Sequence, residues 1–367
     1  MEILHLSDIH IELKRDKRYR KDLITSIRFI LDTIEERKPN YVFIAGDLFN
    51  TKLPTSGERS LANAFIRRIL DLNTHLVIVP GNHDIPAKEG SHHTLSPIES
   101  LALPNLHVLS ETGIYTVGDI DVLAMPYVYL NQEDELAKIQ ELHDEYTGDN
   151  LFAIGHFWVT GSVPGITPPS NEYVVPVELL QDMTKVKYGA LGHIHKAGFV
   201  YGNWAYGGSP FRWNLGEKEP NKSIYMWDEG NVETIVTPAM PIYEVDIRNV
   251  PQEVYALDSA IVKIVAKGVT VEALPKVDKL YSQLSKTNNF AYIDLNLQDV
   301  TFETATDTTL TNSRAFMDDW IKKNDLVAEK DIILGICDKI QNETLTKNDS
   351  PFDLEELGID DTEKPKT

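Results

Sequence analysis

Five short polar motifs occur where apolar, strand-like runs of this chain end. Each motif carries histidine, aspartate or asparagine, and four of the five place a glycine just before the polar residue. The motifs are Asp8-Ile9-His10, Gly46-Asp47, Gly81-Asn82-His83-Asp84, Gly155-His156 and Gly192-His193-Ile194-His195. In open α/β sheets, ligands bind outside the carboxyl ends of the strands, so five such ends can bring these side chains together.

The residue types in these motifs suit a centre of two divalent metal ions. Histidine, carboxylate and amide ligands without a thiolate favour Mn²⁺, Fe²⁺ or Zn²⁺ over Ca²⁺. The candidate ligands, too many for one ion, are Asp8, His10, Asp47, Asn82, His156, His193 and His195. Asp47 follows a central strand and would bridge the ions. Two such ions would activate a water for in-line phosphoryl displacement and stabilise the leaving oxygen.

The segments between the motifs alternate between strand and helix patterns. Apolar residues recur with helical spacing over 19–37 and 57–72, while 3–6, 41–45 and 76–79 are strand-like. This β-α-β-α-β order predicts a mostly parallel sheet with helices packed on it. Enough further short strands are predicted to form a second sheet, so the expected fold class is α/β. A long stretch rich in glycine and proline, 161–170, is a candidate functional loop.

Composition narrows the class of protein. A chain of 367 residues is expected to form two domains, and its single cysteine, Cys337, allows neither an internal disulfide nor a thiolate zinc cluster. A reducing compartment is therefore expected. The first residues show no secretory pattern and no apolar run has the length of a membrane helix, so we expect a cytoplasmic protein. The net charge of −21 argues against broad coating of nucleic acid.

The motif order D-x-H, GD, GNHD, GH and GHIH resembles the calcineurin-like metallophosphoesterase superfamily. The strings GDLF at 46–49, GNHDIP at 81–86, YGALGHIHKA at 188–197 and YGGSPFRW at 206–213 resemble nuclease subunits of the SbcD type. This resemblance implies a four-layer α/β/β/α sandwich, followed by a small α+β capping domain and C-terminal helices.

The resemblance also implies a role for each motif residue. One ion would be held by Asp8, His10, Asp47 and His195. The other would be held by Asp47, Asn82, His156 and His193. His83 would act on the scissile phosphate instead of binding metal, and Asp84 would hydrogen-bond His83 and orient it. The implied reaction is Mn²⁺-dependent hydrolysis of DNA, as 3′→5′ exonuclease and single-strand endonuclease, with Mg²⁺, Fe²⁺ or Zn²⁺ as alternative ions.

The loops that carry the motifs stop before a proline-rich segment at 238–241, which predicts a domain boundary there. The predicted divisions are a nuclease domain 1–240, a capping or DNA-binding domain 241–310, C-terminal helices within 311–345 and a disordered acidic tail 346–367. The helical patterns at 313–324 and 329–341 could pack inside the second domain or dock a partner.

DNA and partner contacts follow partly from charge and partly from the resemblance. A basic run follows the first motif and could contact phosphates at the rim of the site or be a solvated helix start: Lys14, Arg15, Lys17, Arg18, Arg20 and Lys21. Asn50 stands where some relatives carry histidine or aspartate, so it could bind phosphate without supplying charge. The resemblance implies a coiled-coil SMC-like ATPase of the SbcC type, a homodimer within a heterotetramer and no membrane contact. That partner would provide most of the DNA affinity.

Two other interpretations stay open on the sequence. The chain could be a phosphodiesterase of small molecules or nucleotides with the second domain as a lid, or an inactive scaffold. The presence of all seven candidate ligands and of His83 disfavours the scaffold. Six histidines outside the motifs are expected to be structural: His5, His75, His92, His93, His107 and His143.

Overall fold

The structure is a computed structural model of the chain. The described residues are 1–14, 17–85, 93–163, 165–214, 216–217, 219–269, 273–287, 289–297 and 331. The chain divides into two compact units with the boundary between Ala239 and Met240. Within the described residues, no helix has the length and apolar character to span a membrane.

The first unit contains fourteen strands and five helices among its described residues. In chain order they are β1 (Glu2–Leu6), α1 (Lys17–Arg37), β2 (Tyr41–Ala45), α2 (Ser56–Asp71), β3 (His75–Val79), α3 (Ser96–Glu99), β4 (Leu106–Val108), β5 (Gly113–Val117), β6 (Ile120–Met125), α4 (Gln132–Glu145), β7 (Leu151–His156), β8 (Trp158–Val159), β9 (Val174–Val175), α5 (Val177–Asp182), β10 (Val186–Gly192), β11 (Gly198–Tyr201), β12 (Trp204–Tyr206), β13 (Ser223–Asp228) and β14 (Asn231–Val236).

Twelve of these strands form two six-stranded sheets. The first sheet has the order β14-β13-β1-β2-β3-β4, and β1 to β4 run parallel. The second has the order β11-β12-β10-β7-β6-β5, with β6, β7, β10 and β12 parallel. The predicted second sheet is therefore confirmed. The remaining pair, β8 and β9, forms a two-stranded sheet.

The alternation of side chains along the strands divides the apolar residues into layers. Ile3, Phe43 and Val77 share one buried cluster with Val122 and Ile154 of the second sheet, which places this cluster between the sheets. The opposite face of the first sheet packs against α1 and α2, through residues such as Leu4, Val42, Ile27 and Phe65. The outer face of the second sheet packs against α4 and α5, with Leu123, Ile139 and Leu180 in one cluster. The predicted α/β/β/α sandwich is confirmed.

Among its described residues from Met240 onward, the second unit has a small parallel sheet, one α-helix and a short 3-10 helix at Gln252–Ala256. It contains β15 (Ile242–Asp246), β16 (Ile261–Val269), α6 (Leu274–Leu284) and β17 (Phe290–Leu297), with the order β15-β16-β17. Val262 and Ile264 of β16 share a buried cluster with Val277 and Leu280 of α6. The helices predicted at 313–324 and 329–341 and the acidic tail lie outside the described residues, apart from the helical Asp331. Four short strands, β4, β8, β9 and β12, were not predicted from the sequence.

Candidate metal centre

The five motifs follow the carboxyl ends of central strands, at one edge shared by both sheets. β1, β2 and β3 are neighbours in the first sheet, and β7 and β10 are parallel neighbours in the second. The two sheets are joined here by hydrogen bonds. The ring Nδ1 of His156 lies 2.8 Å from the Ala45 carbonyl oxygen, and the backbone N–H of His193 donates to the Asp8 carboxylate at 3.1 Å. All seven predicted ligands are thereby brought together.

Four of the motif residues have strained backbone conformations. Asp8, His10, Asp47 and His193 have φ values of 50°, 46°, 52° and 97°, in the left-handed region that side-chain-bearing residues rarely occupy. The strain places their side chains at the edge while the preceding strands stay regular. Such conformations persist only where surrounding contacts hold them, and they cluster at functional sites.

Two motif glycines make room for this arrangement. Gly46 has a φ of 81°, and a Cβ there would lie 2.1 Å from Nδ1 of His156. A Cβ at Gly192 would lie 1.7 Å from the carbonyl oxygen of Ala45. Only glycine allows the backbones of β2 and β10 to approach this closely.

Asp8, His10 and His195 form one compact group of ligand atoms. The Nε2 atoms of His10 and His195 are 3.0 Å apart, and His195 Nε2 lies 3.7 Å from Asp8 Oδ1. Asp47 reaches the same group, since its Oδ2 is 3.5 Å from His10 Nε2. The set assigned to one ion therefore faces a common point.

Asp47 also contacts the second group. Its Oδ2 is 3.4 Å from Nε2 of His156, and that nitrogen lies 3.0 Å from Oδ1 of Asn82. The same amide oxygen is 3.2 Å from Nδ1 of His193. Asp47 is thus the carboxylate shared by both groups, as predicted for a bridging residue.

In three of these histidine rings, the nitrogen that points away from the centre contacts an oxygen of the protein. This contact fixes which ring nitrogen faces the centre. His156 Nδ1 donates to the Ala45 carbonyl oxygen, which can only accept, so its Nε2 is left facing Asn82 and Asp47. His195 Nδ1 is 2.8 Å from Oε1 of Glu217. His193 Nε2 is 3.5 Å from Oε2 of Glu172. For His10, Nδ1 is buried without a hydrogen-bond partner among the described residues.

The charges of the site can be balanced by protons or by bound cations. Burial opposes protonation of His156, yet Asp47 and Asp8 raise its pKa to about 9. Burial also opposes ionisation of Asp47, but the neighbouring His156 holds the pKa of that carboxyl below its usual value. Unshared electron pairs of rings, carboxylates and an amide oxygen meet within 3.0 to 3.7 Å, an arrangement that needs a proton or a metal ion between them. The donor set fits divalent ions such as Mn²⁺, Fe²⁺ and Zn²⁺.

His83 lies beside the ligands, but its orientation differs from the one predicted. Its ring Nδ1 is 2.6 Å from the backbone oxygen of Asn50, and its backbone N–H donates to Asp47 Oδ1 at 2.9 Å. The ring meets that of His10 edge-on at 4.8 Å between centroids. The Asn50 carbonyl, which only accepts, therefore orients His83.

The predicted hydrogen bond from Asp84 to His83 is wrong. The Asp84 carboxylate is fully buried and accepts the backbone N–H groups of Gly81, Leu48 and Phe49 at 3.1 to 3.3 Å. It also accepts the Thr94 hydroxyl. Burial, followed by the charge of Asp47, raises the pKa of Asp84 to about 6. The loops after β2 and β3 contribute buried backbone N–H groups, and buried donors need hydrogen-bond acceptors. The Asp84 carboxylate is that acceptor.

Several residues at the site were missed by sequence reasoning. Glu217 and Glu172 contact ligand histidines, and Trp213 stacks on His10 with 5.0 Å between ring centroids. Glu172 follows the predicted functional loop at 161–170, and Trp213 lies in the string YGGSPFRW. Sequence patterns therefore pointed to both segments, although not to these two residues. The exposed Lys52 contacts the Tyr129 hydroxyl, which donates to the backbone oxygen of Asn82.

The predicted DNA-contacting residues are only partly described. Lys14 and Lys21 are exposed and Arg20 is half-buried. Arg15 lies outside the described residues, and the side chains of Lys17 and Arg18 are also undescribed. The Asn50 side-chain oxygen is buried without a hydrogen-bond partner among the described residues. These phosphate contacts stay predictions.

Known proteins match this chain over the part that carries the motifs. A family model of calcineurin-like phosphoesterases matches residues 1–197. The SbcD protein of the nuclease SbcCD from Escherichia coli (strain K12) is 23% identical over 281 residues, which cover 66% of this chain and 69% of that protein.

Two archaeal proteins named DNA double-strand break repair protein Mre11 also match. The one from Methanocaldococcus jannaschii is 26% identical, covering 57% of this chain and 56% of that protein. The one from Saccharolobus solfataricus is 25% identical, covering 35% of this chain and 34% of that protein. The resemblance inferred from the motifs is confirmed: the chain belongs to the calcineurin-like phosphoesterase family, as a metal-dependent phosphodiester hydrolase with SbcD and Mre11 nucleases among its relatives.

Proposed function

We propose that this chain is the nuclease subunit of an SbcCD-like complex that acts in DNA recombination, repair or replication. Its reaction would be hydrolysis of DNA phosphodiesters, as a 3′→5′ exonuclease and a single-strand endonuclease. The convergence of four histidines, two aspartates and Asn82 on one sheet edge, with His83 beside them, carries this proposal. The curated relatives with nuclease names support DNA as the substrate.

The two ions, Mn²⁺ by preference, would be held by residues that are already oriented toward a common centre. Asp8, His10, Asp47 and His195 would hold one ion, and Asp47, Asn82, His156 and His193 the other. When bound, the ions supply an activated water and neutralise charge on the phosphate. The hydrogen bonds at Nδ1 of His156 and His195 fix the rings before any ion arrives.

His83 would be the catalytic group of the chain itself. Because its Nδ1 donates to the Asn50 carbonyl, Nε2 is the nitrogen left for the phosphate. In the doubly protonated ring, Nε2–H would give its proton to the leaving oxygen or stabilise charge on the phosphate. Asn50 therefore acts through its backbone oxygen, and Asp84 supports the same site by holding the loops after β2 and β3 together.

DNA binding would be shared with a partner. A net charge of −21 disfavours tight binding of DNA by this subunit alone. An SMC-like coiled-coil ATPase would therefore provide most of the affinity for DNA. Residues 1–240 would form the nuclease domain, 241–310 the capping domain and 311–345 a docking segment. The assembly would be a homodimer within a heterotetramer in the cytoplasm of a bacterial or phage-infected cell.

One assay separates this function from that of a small-molecule phosphodiesterase. The protein is incubated with Mn²⁺ and linear, supercoiled or single-stranded DNA, and in parallel with p-nitrophenyl phosphate esters. We expect Mn²⁺-dependent cleavage of DNA that the Asp47→Asn variant lacks. Turnover of the small esters without DNA cleavage, with or without an SbcC-type partner, would overturn the proposal.

A further inference from the structure

Glu217 is a buried carboxylate that lies outside the predicted ligand set. Its side chain is 7% exposed, and its Oε1 accepts from Nδ1 of His195 at 2.8 Å. Its Oε2 contacts the ammonium of Lys222, which is 1% exposed and also donates to the backbone oxygen of His195 at 2.9 Å. The carboxylate and the lysine therefore hold the ring and the backbone of one ligand residue.

Glu217 also supports His10, a second residue assigned to the same ion, through the loop that carries Trp213. Its oxygens accept the backbone N–H groups of Trp213 and Asn214 at 3.3 and 3.2 Å. This fixes the loop that lays the Trp213 ring on His10, with 5.0 Å between centroids and an angle of 19°. Within the described part of the chain, the hydrogen bonds and ion pairs of the Glu217 carboxylate do not involve Asn82, His156 or His193.

We propose that Glu217 is a positioning residue for one of the two metal ions. It holds His195 with the proton on Nδ1 and Nε2 turned to the centre, and through Trp213 it supports His10. Lys222 balances the charge of Glu217 and fixes its position. A carboxylate partner on the second ring nitrogen fixes the tautomer of a metal-binding histidine and typically affects metal affinity 10- to 100-fold. This inference rests on the metal sets of the proposed function.

The test measures Mn²⁺ binding to the full chain by calorimetry. We expect the wild-type protein to bind two ions and Glu217→Gln to weaken one of them roughly 10-fold or more, with the other unchanged. Glu219→Gln is the matched control, because Glu219 contacts the same Lys222 ammonium at 2.6 Å but has no contact with the His195 ring. We expect both affinities of this control to equal those of wild type.

The results that would contradict the positioning role of Glu217 differ from those that would contradict the metal centre itself. Unchanged affinities in folded Glu217→Gln, or equal weakening in Glu219→Gln, would overturn the positioning role. Wild-type protein that binds fewer than two ions would instead count against the proposed function. Should Glu217→Gln not fold, ¹H–¹⁵N spectra of the metal-free wild type at alkaline pH, where the His195 ring is neutral, decide the question. The proposal requires the proton of that ring on Nδ1, and a proton on Nε2 instead would overturn it.

Discussion

At the scale of single residues, the site depends on the second nitrogen of each ring as much as on the nitrogen that faces the centre. His156 is fixed by a carbonyl, His195 by Glu217 and His83 by the Asn50 carbonyl. All three rings therefore donate from Nδ1, and in each of them Nε2 is the nitrogen left for other contacts.

His83→Ala is expected to keep both Mn²⁺ ions and to lower kcat on DNA by roughly 100- to 10,000-fold, because it removes a proton-transfer group. Calorimetry and single-turnover cleavage together check this. His93→Ala serves as the control, since the His93 ring contacts Glu99. Loss of an ion from His83→Ala would show that His83 is a ligand, because it lies within 4.8 Å of ligand atoms of His10 and Asp47.

A second prediction at this scale concerns His5, which is fully buried and contacts Tyr188 and the Leu191 carbonyl. Burial lowers its pKa from 6.5 to about 3. Below pH 6.5 the unfolded chain binds a proton that the folded chain refuses, so the free energy of unfolding falls by about 1.4 kcal/mol per pH unit from this group.

The His5→Gln variant should therefore lose less stability than wild type between pH 6.5 and 4, whatever its stability at pH 7. Urea unfolding of the metal-free proteins across this range measures the two slopes. Parallel curves would show that His5 is not responsible for acid sensitivity.

At the scale of elements, the site requires that strands of two sheets approach at their carboxyl ends. β2 and β10 belong to different sheets, and Gly192 at the end of β10 faces the Ala45 carbonyl at the end of β2. A side chain in place of the Gly192 hydrogen would separate His156 and His193 from Asp8 and Asp47. The close approach explains why glycine precedes the ligand residues.

Gly192→Ala is expected to lower the free energy of unfolding by at least about 3 kcal/mol, since its Cβ would lie 1.7 Å from a backbone oxygen. Gly198→Ala is the matched control on β11 of the same sheet, because no atom lies within 4 Å of its Cβ. Its effect should stay within about 0.5 kcal/mol. Denaturant melts of both variants test this, and similar values for the two would contradict the close-approach argument.

At the scale of the whole molecule, charge bears on the proposed binding of DNA. The net charge of −21 produces a field that repels a polyanion such as DNA. Bound divalent ions would reverse the local sign at the site. The basic run at 14–21 is the densest positive stretch close to a motif in the sequence.

Neutralising Lys17, Arg18 and Arg20 together is expected to weaken DNA binding and to flatten its dependence on salt, because fewer counterions are released. Fluorescence anisotropy at several salt concentrations measures both quantities. A control triple variant neutralises Lys38, Arg68 and Lys187, exposed residues that lie near the amino ends of strands, away from the motifs. Equal affinity and slope in the first variant and wild type would remove the phosphate-contact role.

Local patterns in the sequence determined most of the fold. The strand at Tyr41–Ala45 has the predicted bounds, and the helix Ser56–Asp71 lies within one residue of the predicted 57–72, because apolar periodicity depends on near neighbours. The short β4 and β12 lacked such a signal, since strands of three residues offer too little alternation to detect. The second sheet followed from the number of predicted strands.

The sequence by itself determined the ligand types and their order along the chain, because each motif follows the strand that positions it. Only the tertiary structure decided how these residues are supported. Asp84 holds backbone groups 35 and 36 residues away, His83 is oriented by Asn50 33 residues away, and His195 by Glu217 22 residues away. Contacts between loops of different strands leave no periodic pattern in the sequence, so they emerge only when both sheets bring their ends to one edge.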